Sequence, residues 1–488
     1  MILVGVLALV GAGLATLSIT SDPEYDITFV NNSDANLCWY ESKDYIGHED
    51  LCGHVGPKQT KIYAGGPCNG TDRQPVLLTV GVSGDLIYNR EATCAQWAAA
   101  VVTITGTARS LAVNDAIKEL SPSPNKTMGA ELGVQSEVVT AADHPVAMAF
   151  APDGRLFFAE KFTGDVRIIG SDGKLLPEPF AHVDVANWLN LDWGLTGVAL
   201  DPDFGTNHFV YLFYSEPVDS EPNRPIAKPK LIRFTEAANR GVDQTTISED
   251  FPKTPLDHQG FRANGSIHFG PDGFLYATIG NYNYDPTTPP FTQDLSSPIG
   301  KILRIDKTDG SAPADNPFSG QPGKDARVFA YGFARASDFA FHPQSGRIYA
   351  TDSTDNCEEL NVVVPGGNHG GIPLGPDCSG GQQVVAIYFL AREGKNPGDF
   401  VSYVDVSGLA FASGQDYPRL GDSLLVCEAD TGQMRRLILA GPDYMKVTSD
   451  DAVVNDCNLS IVAGPDGTVY YTNDKEIRRL VSVPGAQP

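Results

Sequence analysis

One short phrase recurs along the last two-thirds of the chain: an apolar strand, a turn built from Pro, Asp or Gly, and in most copies a second apolar strand. It occurs at residues 146–158, 197–204, 269–276, 339–349 and 461–470. Proline presets the first turn position, aspartate bonds back to the backbone, and glycine accepts the positive φ that closes the turn. Each phrase therefore predicts a β-hairpin.

The spacing of these hairpins predicts how they are arranged. Their prolines lie about 50 to 122 residues apart, which suits four-stranded sheets repeated around an axis with one blade lacking the phrase. A β-sandwich would not need the same hairpin five times. The length of this region, compared with the usual length of a propeller blade, favours about six blades. The predicted fold is all-β, with a six-bladed β-propeller over residues 138–485.

The chain before the propeller has a different character. Strand-like runs at 26–32, 76–82 and 98–105 predict a small disulfide-containing β domain over residues 24–106. Residues 107–135 are predicted to be a linker, with one helical segment at Leu111–Leu120. The role of the small β domain is predicted to be that of a spacer or a docking module for a protein partner.

The N-terminus predicts export. Residues 1–20 are apolar or small and carry no charge, as in a signal peptide or a membrane anchor, and the sequence leaves both open. An exported protein is expected to be extracellular, periplasmic or held at the cell surface, with a membrane tether if the segment is retained. The formal charge of −25 argues against nucleic acid as a partner and is compatible with neutral substrates and bound cations.

Eight cysteines fall into two groups of four. The first group is Cys38, Cys52, Cys68 and Cys94, and the second is Cys357, Cys378, Cys427 and Cys457. In an exported protein, two such blocks predict local disulfides in two separate units, and the sequence does not resolve the pairing. A zinc site is the weaker interpretation because no Cys-x-x-Cys motif occurs.

Several phrases in the propeller region give it a family resemblance. They are Gly194–Phe204, Phe269–Gly273, Gly300–Asp306 with Asp315–Phe318, Glu358–Asn361 and Gly366–Pro373. In this order they resemble the glucose/sorbosone dehydrogenase family over residues 138–482. The family consists of six-bladed propellers, among them soluble PQQ-dependent aldose dehydrogenases and the propeller of the hedgehog-interacting protein.

The resemblance implies a general base that removes the proton of a sugar's anomeric hydroxyl. The family places a histidine before the Gly-Pro-Asp-Gly strand, and imidazole titrates near neutral pH. Counting back without gaps puts Arg262 there, which stays protonated and is no base. A four-residue insertion instead aligns His258 as the base, oriented by Asp257. A third interpretation makes His258 a loop residue without a catalytic role.

The resemblance also implies a PQQ site and a calcium site. The implied PQQ-binding residues are Arg335, Lys161, Glu160 and Asn368. The family's Arg-Asn-Pro is replaced here by Ala334-Arg335-Ala336, so Arg335 would supply the charge from a shifted place. Calcium is implied at the loop 352–356, through Asp352, Asp355 and Asn356, which offer hard oxygen ligands.

Two functions follow from these residues. The first is an exported PQQ-dependent sugar dehydrogenase that oxidises an aldose-type sugar at the anomeric carbon and passes electrons to an acceptor. The alternative is an extracellular propeller that has lost the quinone site and serves as a binding or structural module. The fold alone does not decide between them.

Overall fold

The computed structural model describes residues 24–33, 35–40, 52–67, 73–80, 86–93, 101–107, 110–116, 129–186, 192–221, 224–254, 265–282, 291–353, 358–370, 384, 386–390 and 405–483. They form two compact units, which divide between Asn125 and Lys126. The predicted signal or anchor, residues 1–20, lies outside the described residues. No helix in the described ranges is long and apolar enough to cross a membrane.

The first unit contains two four-stranded sheets, with the strand orders β4-β1-β7-β8 and β3-β2-β5-β6. Their bounds are β1 Glu24–Asn31, β2 Leu37–Tyr40, β3 Gly53–Val55, β4 Thr60–Pro67, β5 Arg73–Val80, β6 Leu86–Thr93, β7 Val101–Thr107 and β8 Ser110–Ala116. The rings of Phe29 and Trp39 stack between the sheets, with centroids 5.6 Å apart. A small β unit with the predicted strands is thus present.

The prediction of a helix at Leu111–Leu120 is wrong where the structure describes it. Residues Ser110–Ala116 form β8, which pairs antiparallel with all of β7 from Thr107↔Ser110 to Val101↔Ala116. Leu, Ala and Asp in this run are compatible with a helix, but seven consecutive ladder pairs override so weak a preference. The strands of the first unit therefore continue to Ala116, beyond the predicted domain end at residue 106.

The second unit is a propeller of six four-stranded sheets. The first three blades contain β10 Pro145–Phe150, β11 Leu156–Glu160, β12 Asp165–Ile169, β13 Ala181–His182; β14 Leu195–Leu200, β15 Phe209–Glu221, β16 Arg224–Ala237, β17 Arg240–Ser248; and β18 Ile267–Phe269, β19 Leu275–Ile279, β20 Lys301–Ile305, β21 Val328–Tyr331. A one-turn helix, α1 (Phe204–Asn207), follows β14, and a 3₁₀ turn covers Phe291–Gln293.

The last three blades contain β22 Phe339–Phe341, β23 Ile348–Ser353, β24 Glu358–Val363, β25 Tyr388–Phe389; β26 Val406–Ala412, β27 Ser423–Glu428, β28 Met434–Leu439, β29 Val447–Val454; and β30 Ile461–Ala463, β31 Val469–Thr472, β32 Glu476–Ser482. The sixth sheet takes its fourth strand, β9 (Val134–Ala141), from the start of the unit. The ring is therefore closed by pairing between its two ends.

All five predicted hairpins are present. Each joins the first two strands of a blade, and the turn glycines Gly154, Gly273, Gly346 and Gly467 have φ between 67° and 86°. In the 197–204 phrase Phe204, not glycine, follows Asp203; the side chain of Asp201 accepts a hydrogen bond from the backbone N–H of Asp203, and the chain turns through α1. Local turn chemistry was thus sufficient to place the hairpins.

The innermost strand of every blade lines a central channel. These strands are β10, β14, β18, β22, β26 and β30, and their residues surround a cavity of about 760 Å³. Its wall is largely apolar, with Phe150, Phe269, Phe341 and Phe411 among its side chains. The hydrophobic layers that stabilise the propeller lie between neighbouring blades, as where Tyr211 and Phe213 share a cluster with Leu275.

The two disulfides among the described residues are local, as predicted. Cys38 bonds Cys52 in the first unit, and Cys427 bonds Cys457 in the propeller. The other four cysteines lie outside the described residues. Cys427 is on β27 and Cys457 lies between β29 and β30, so this bond ties the fifth blade to the segment that leads into the sixth.

Candidate functional site

A cluster of charged residues lies at the face of the propeller where the innermost strands begin. In an antiparallel blade the end of the second strand is beside the start of the first, as the Pro145↔Glu160 pair demonstrates. Lys161 follows β11, while Asp192, Arg335 and Asp405 precede β14, β22 and β26. Segments that are distant in sequence therefore converge here.

Arg335 is at the centre of this cluster. Its Nη1 donates to Oδ2 of Asp405 at 2.6 Å, and its Nη2 donates to Oδ1 of Asp192 at 3.1 Å. The guanidinium therefore connects segments from three blades. Desolvation acts to lower the pKa of Arg335, but the carboxylates of Asp192 and Asp405 outweigh it and raise that pKa above its usual value. The arginine is held as a cation.

The backbone at Arg335 is fixed by Asp352. This buried carboxylate accepts hydrogen bonds from the backbone N–H of Ala334 to Oδ2, at 3.0 Å, and of Arg335 to Oδ1, at 2.6 Å. Asp352, predicted as a calcium ligand, thus has both oxygens engaged in positioning the segment that carries Arg335. Its predicted metal role stays a prediction.

Lys161 reaches the same cluster from the first blade. Desolvation lowers the pKa of Lys161 below its usual value, the nearby charge of Arg335 lowers it further, and Asp192 opposes both effects. The backbone just before β14 passes close to the backbone of Lys161 because Gly194, with φ of 125°, has no side chain. A Cβ on Gly194 would lie 2.4 Å from the carbonyl oxygen of Lys161, which accepts a hydrogen bond from Leu195 at 2.9 Å.

Three residues of the cluster have buried polar atoms that make no hydrogen bond with any described residue. They are both carboxylate oxygens of Glu358, Oδ1 of Asp405 and Nε of Arg335. Desolvation and the charges of Asp405 and Asp352 raise the pKa of Glu358 well above its usual value. The Ser353 hydroxyl partly opposes this shift without completing a hydrogen bond of ordinary geometry.

Buried polar atoms left unpaired are costly, typically about 1–3 kcal/mol each. The cluster places two basic side chains, Lys161 and Arg335, among four carboxyl groups, those of Asp192, Asp352, Asp405 and Glu358. The unpaired oxygens of Glu358 and Asp405 suit a hard cation, and the unsatisfied guanidinium N–H of Arg335 suits an acceptor on a bound molecule. These atoms mark the place where a ligand would complete the bonding.

The other two described candidates have local partners. Glu160 is buried, and its carboxylate accepts the backbone N–H of Asp143 at 3.1 Å. Asn368 exchanges hydrogen bonds with Gln293, at 3.0 and 2.8 Å, and accepts from the N–H of Gly370. None of these bonds reaches Arg335.

The remaining predicted residues are not described. His258, Asp257 and Arg262 lie in the segment 255–264, and Asp355 and Asn356 lie in 354–357, all outside the described residues. Their roles as base, orienting carboxylate and calcium ligands stay predictions. On the described side of the first segment, Ser266 immediately precedes β18, the innermost strand of its blade.

Comparison with known proteins identifies the propeller. The profile of the family described as "Glucose / Sorbosone dehydrogenase" matches residues 142–482. The chain belongs to the glucose/sorbosone dehydrogenase family. It is 28% identical over 354 residues to the aldose sugar dehydrogenase YliI of Escherichia coli, covering 70% of this chain and 90% of that one.

Two further proteins are similar to this chain. The quinoprotein glucose dehydrogenase B of Acinetobacter calcoaceticus is 25% identical over 273 residues, covering 51% of this chain and 55% of the relative. A putative oxidoreductase (glucose dehydrogenase) of Thermus thermophilus superposes with a TM-score of 0.59 at 27% identity. That alignment covers 72% of this chain and all of the solved one. These relatives support a sugar dehydrogenase, hence an oxidoreductase.

The sequence alone did not identify three residues of the charged cluster. Asp192 and Asp405 were not singled out, and Glu358 was noted only within a family phrase. Their signal is positional: Asp192 and Asp405 precede innermost strands, and Glu358 begins β24 beside the end of β23. Polar residues at the starts of innermost strands are candidates because all such segments meet at one face.

Proposed function

We propose that this protein is an exported sugar dehydrogenase that oxidises an aldose at its anomeric carbon, with PQQ as the oxidant and a calcium ion beside it. The observation that carries the proposal is the set of buried, unpartnered polar atoms on Glu358, Asp405 and Arg335 at one end of the channel. Membership of a family with sugar dehydrogenases supports the reaction class. A relative named as a quinoprotein supports the cofactor.

The described residues fit a carboxylated quinone accompanied by a cation. Lys161 and Arg335 would provide positive charge for the cofactor's carboxylates, and the unsatisfied Nε of Arg335 would be available as a donor to the cofactor. The carboxylates alone would repel such an anion. A calcium ion held by Glu358 and Oδ1 of Asp405 would offset that repulsion and supply both with a partner.

The chemistry divides between the cofactor and the chain. PQQ, when bound, accepts the hydride from the anomeric carbon. Arg335 is kept rigid by Asp192 and Asp405, so its donors are aimed before anything binds. Asp352 fixes the backbone beneath it. The hydroxyl proton is assigned to a base, for which His258, oriented by Asp257, remains our candidate.

The proposal is tested by reconstitution. Purified protein is mixed with PQQ and calcium, and both the quinone absorbance shift and dye reduction dependent on an added aldose are measured. We expect one quinone bound per chain and sugar-dependent turnover. Absence of any bound quinone at micromolar PQQ with calcium would overturn the proposal and favour the alternative, a propeller that binds a partner without redox chemistry.

Replacement of Arg335 links that activity to the cluster. We expect Arg335→Ala to weaken PQQ binding by roughly 10- to 100-fold, since a charge-assisted hydrogen bond contributes about 1.5–3 kcal/mol. The matched control is Arg327→Ala, because Arg327 is also part-buried and bonded to two carboxylates, Asp325 and Asp250, at 2.7 and 2.6 Å. Equal loss in both variants would mean that destabilisation, not the site, caused the effect.

The base assignment has its own test. We expect His258→Ala to lower kcat by roughly 100- to 10,000-fold with PQQ binding unchanged, as removal of a general base does. Arg262→Ala serves as the comparison, because the gap-free alignment puts Arg262 at the position of the base. Turnover that survives His258→Ala would reject His258 while leaving the sugar dehydrogenase proposal intact.

A further inference from the structure

An imidazole lies against a disulfide in the first unit, outside the part of the chain that resembles any dehydrogenase. Nδ1 of His54 is 3.3 Å from Sγ of Cys52 and 3.9 Å from Sγ of Cys38. Among the described residues, these three form a group whose potential ligand atoms all lie within 4.8 Å of one another. Nothing in the proposed propeller chemistry uses them.

The strand register builds this arrangement. Cys38 on β2 is directly opposite His54 on β3, and Cys52 comes immediately before β3. Residues directly opposite on neighbouring strands project to the same face of a sheet. Gly53 brings β3 close to the Trp39 ring, because a Cβ at that position would lie 1.9 Å from the indole nitrogen.

The three side chains differ in their access to solvent. Cys38 is 1% exposed and packs in a small cluster with Tyr40 and Leu77. Cys52 is partly exposed, and His54 is exposed. A reagent can therefore reach the sulfur of Cys52, while Cys38 stays anchored in the sheet.

The disulfide of the propeller provides an internal contrast. Cys427 and Cys457 are both fully buried, and the polar contact of Cys427 Sγ is the carbonyl oxygen of Ser460, at 3.9 Å. No described histidine accompanies that pair in a metal-ligand group. The chain thus has one accessible, imidazole-flanked disulfide and one that is closed.

We propose that Cys38, Cys52 and His54 form a Zn²⁺ site once their disulfide has been reduced by a dithiol. The dithiol's thiolate attacks Sγ of Cys52, the partly exposed cysteine of the pair, the bond to Cys38 breaks, and its electron pair goes to Sγ of Cys38. The second thiol of the reductant then releases Cys52 and becomes part of the reductant's own disulfide. Two protein thiols are formed for one dithiol oxidised, and the metal displaces their protons.

The distances suit this ion. With Zn–S of about 2.3 Å and Zn–N of about 2.0 Å, a tetrahedral site separates sulfur and nitrogen by about 3.5 Å. The two existing separations, 3.3 and 3.9 Å, lie on either side of that value. The imidazole needs no rearrangement, and the sulfurs separate when their bond is broken. Three protein ligands leave the fourth position to water or another donor.

The experiment uses the full chain, reduced anaerobically with a dithiol that is then removed, and Co²⁺ as a spectroscopic probe that Zn²⁺ should displace. We expect a thiolate-to-cobalt charge-transfer band equivalent to one tetrahedral ion per chain. Cys52→Ser should abolish this band. His54→Gln should weaken Co²⁺ binding by roughly 10- to 100-fold or more, because removing a residue that only hydrogen-bonds to a metal ligand already costs that much affinity. His144→Gln, a change in the other unit, should have no effect.

Two outcomes would overturn the proposal. One is a reduced protein that shows no thiolate-to-cobalt band. The other is a band that survives Cys52→Ser or is as strong in His54→Gln as in the original chain, because other thiols would then be binding the ion. Circular dichroism of each variant before reduction verifies that the sheets are intact. The propeller double variant Cys427→Ala/Cys457→Ala should retain the band.

Discussion

At the scale of single residues, His369 is the clearest source of pH dependence. It is 1% exposed, its ring stacks on Phe333 with centroids 4.7 Å apart, and its Nε2 has no hydrogen bond from any described residue. Burial lowers the pKa of His369 to about 4. The folded protein therefore keeps this imidazole neutral at pH values where the unfolded chain, with a pKa near 6.5, takes up a proton.

The sign of the effect follows from that difference. A group with a depressed folded pKa contributes stability above the unfolded pKa and loses it as the pH falls towards the folded pKa. Between about pH 6.5 and 4 we expect His369 to account for about 3 kcal/mol of lost unfolding free energy. The variant His369→Phe keeps a stacking ring. In urea unfolding, its free energy of unfolding should fall by about 3 kcal/mol less than that of the original chain over this pH range. The same loss in both proteins would contradict the assignment.

At the scale of elements, the Cys427–Cys457 disulfide determines how firmly the fifth blade is joined to the sixth. It closes a loop with a sequence separation of 30, and both cysteines are buried in the cluster between those blades. Chain-entropy arguments give a loop of this length about 3–4 kcal/mol of stabilisation. We expect Cys427→Ala/Cys457→Ala to lower the unfolding free energy of the propeller by that amount.

The first unit provides the comparison for this disulfide. Cys38→Ala/Cys52→Ala should leave the propeller transition where it is, because Cys38 and Cys52 lie in the other compact unit. Differential scanning calorimetry resolves the two transitions. A propeller transition that shifts with the Cys38–Cys52 change and not with the Cys427–Cys457 change would contradict the prediction.

At the scale of the whole molecule, strand β9 closes the ring. It supplies the outer strand of the sixth blade by pairing with β32 from Glu476↔Ala141 to Ser482↔Val134. A chain that begins at residue 126 keeps this strand, whereas one that begins at residue 142 leaves β32 as an unpaired edge. We expect the first to remain folded and to retain any quinone binding, and the second to aggregate.

Thermal unfolding and gel filtration distinguish the two truncations. The shorter deletion should give a monomer with the melting temperature of the propeller in the full chain. A longer deletion that behaved identically would mean that β9 is dispensable. Failure of the shorter one would mean that the first unit is needed for the propeller to fold.

The fold was predictable because its signals are local. The turn at 271–273 needs only Pro271, Asp272 and Gly273, and five such turns in order define blades without knowledge of their contacts. The run 110–116 misled because its residues have no strong preference, and pairing with β7 decided its conformation. Its partner lies in the preceding strand, which composition alone does not reveal.

The charged cluster was only partly predictable. Arg335 and Lys161 could be named from the family resemblance, but the partners of Arg335 are 143 and 70 residues away in sequence. Isolated aspartates before strands are common. Asp192 and Asp405 can be recognised as partners of Arg335 only when the closed ring of blades brings them together. Glu358 is buried, and so is Glu359 beside it, a property that the sequence around them does not indicate.

The pairing of β9 with β32 also has a consequence for the order of synthesis. Ser136 on β9 and Tyr471 on β31 are 335 residues apart in sequence yet hydrogen-bonded in the sixth blade. During translation β9 emerges before every other strand of the propeller. It has no partner until β32 leaves the ribosome. The first unit and the early blades can fold as they emerge, but the ring closes only once β32 has emerged and can pair with β9.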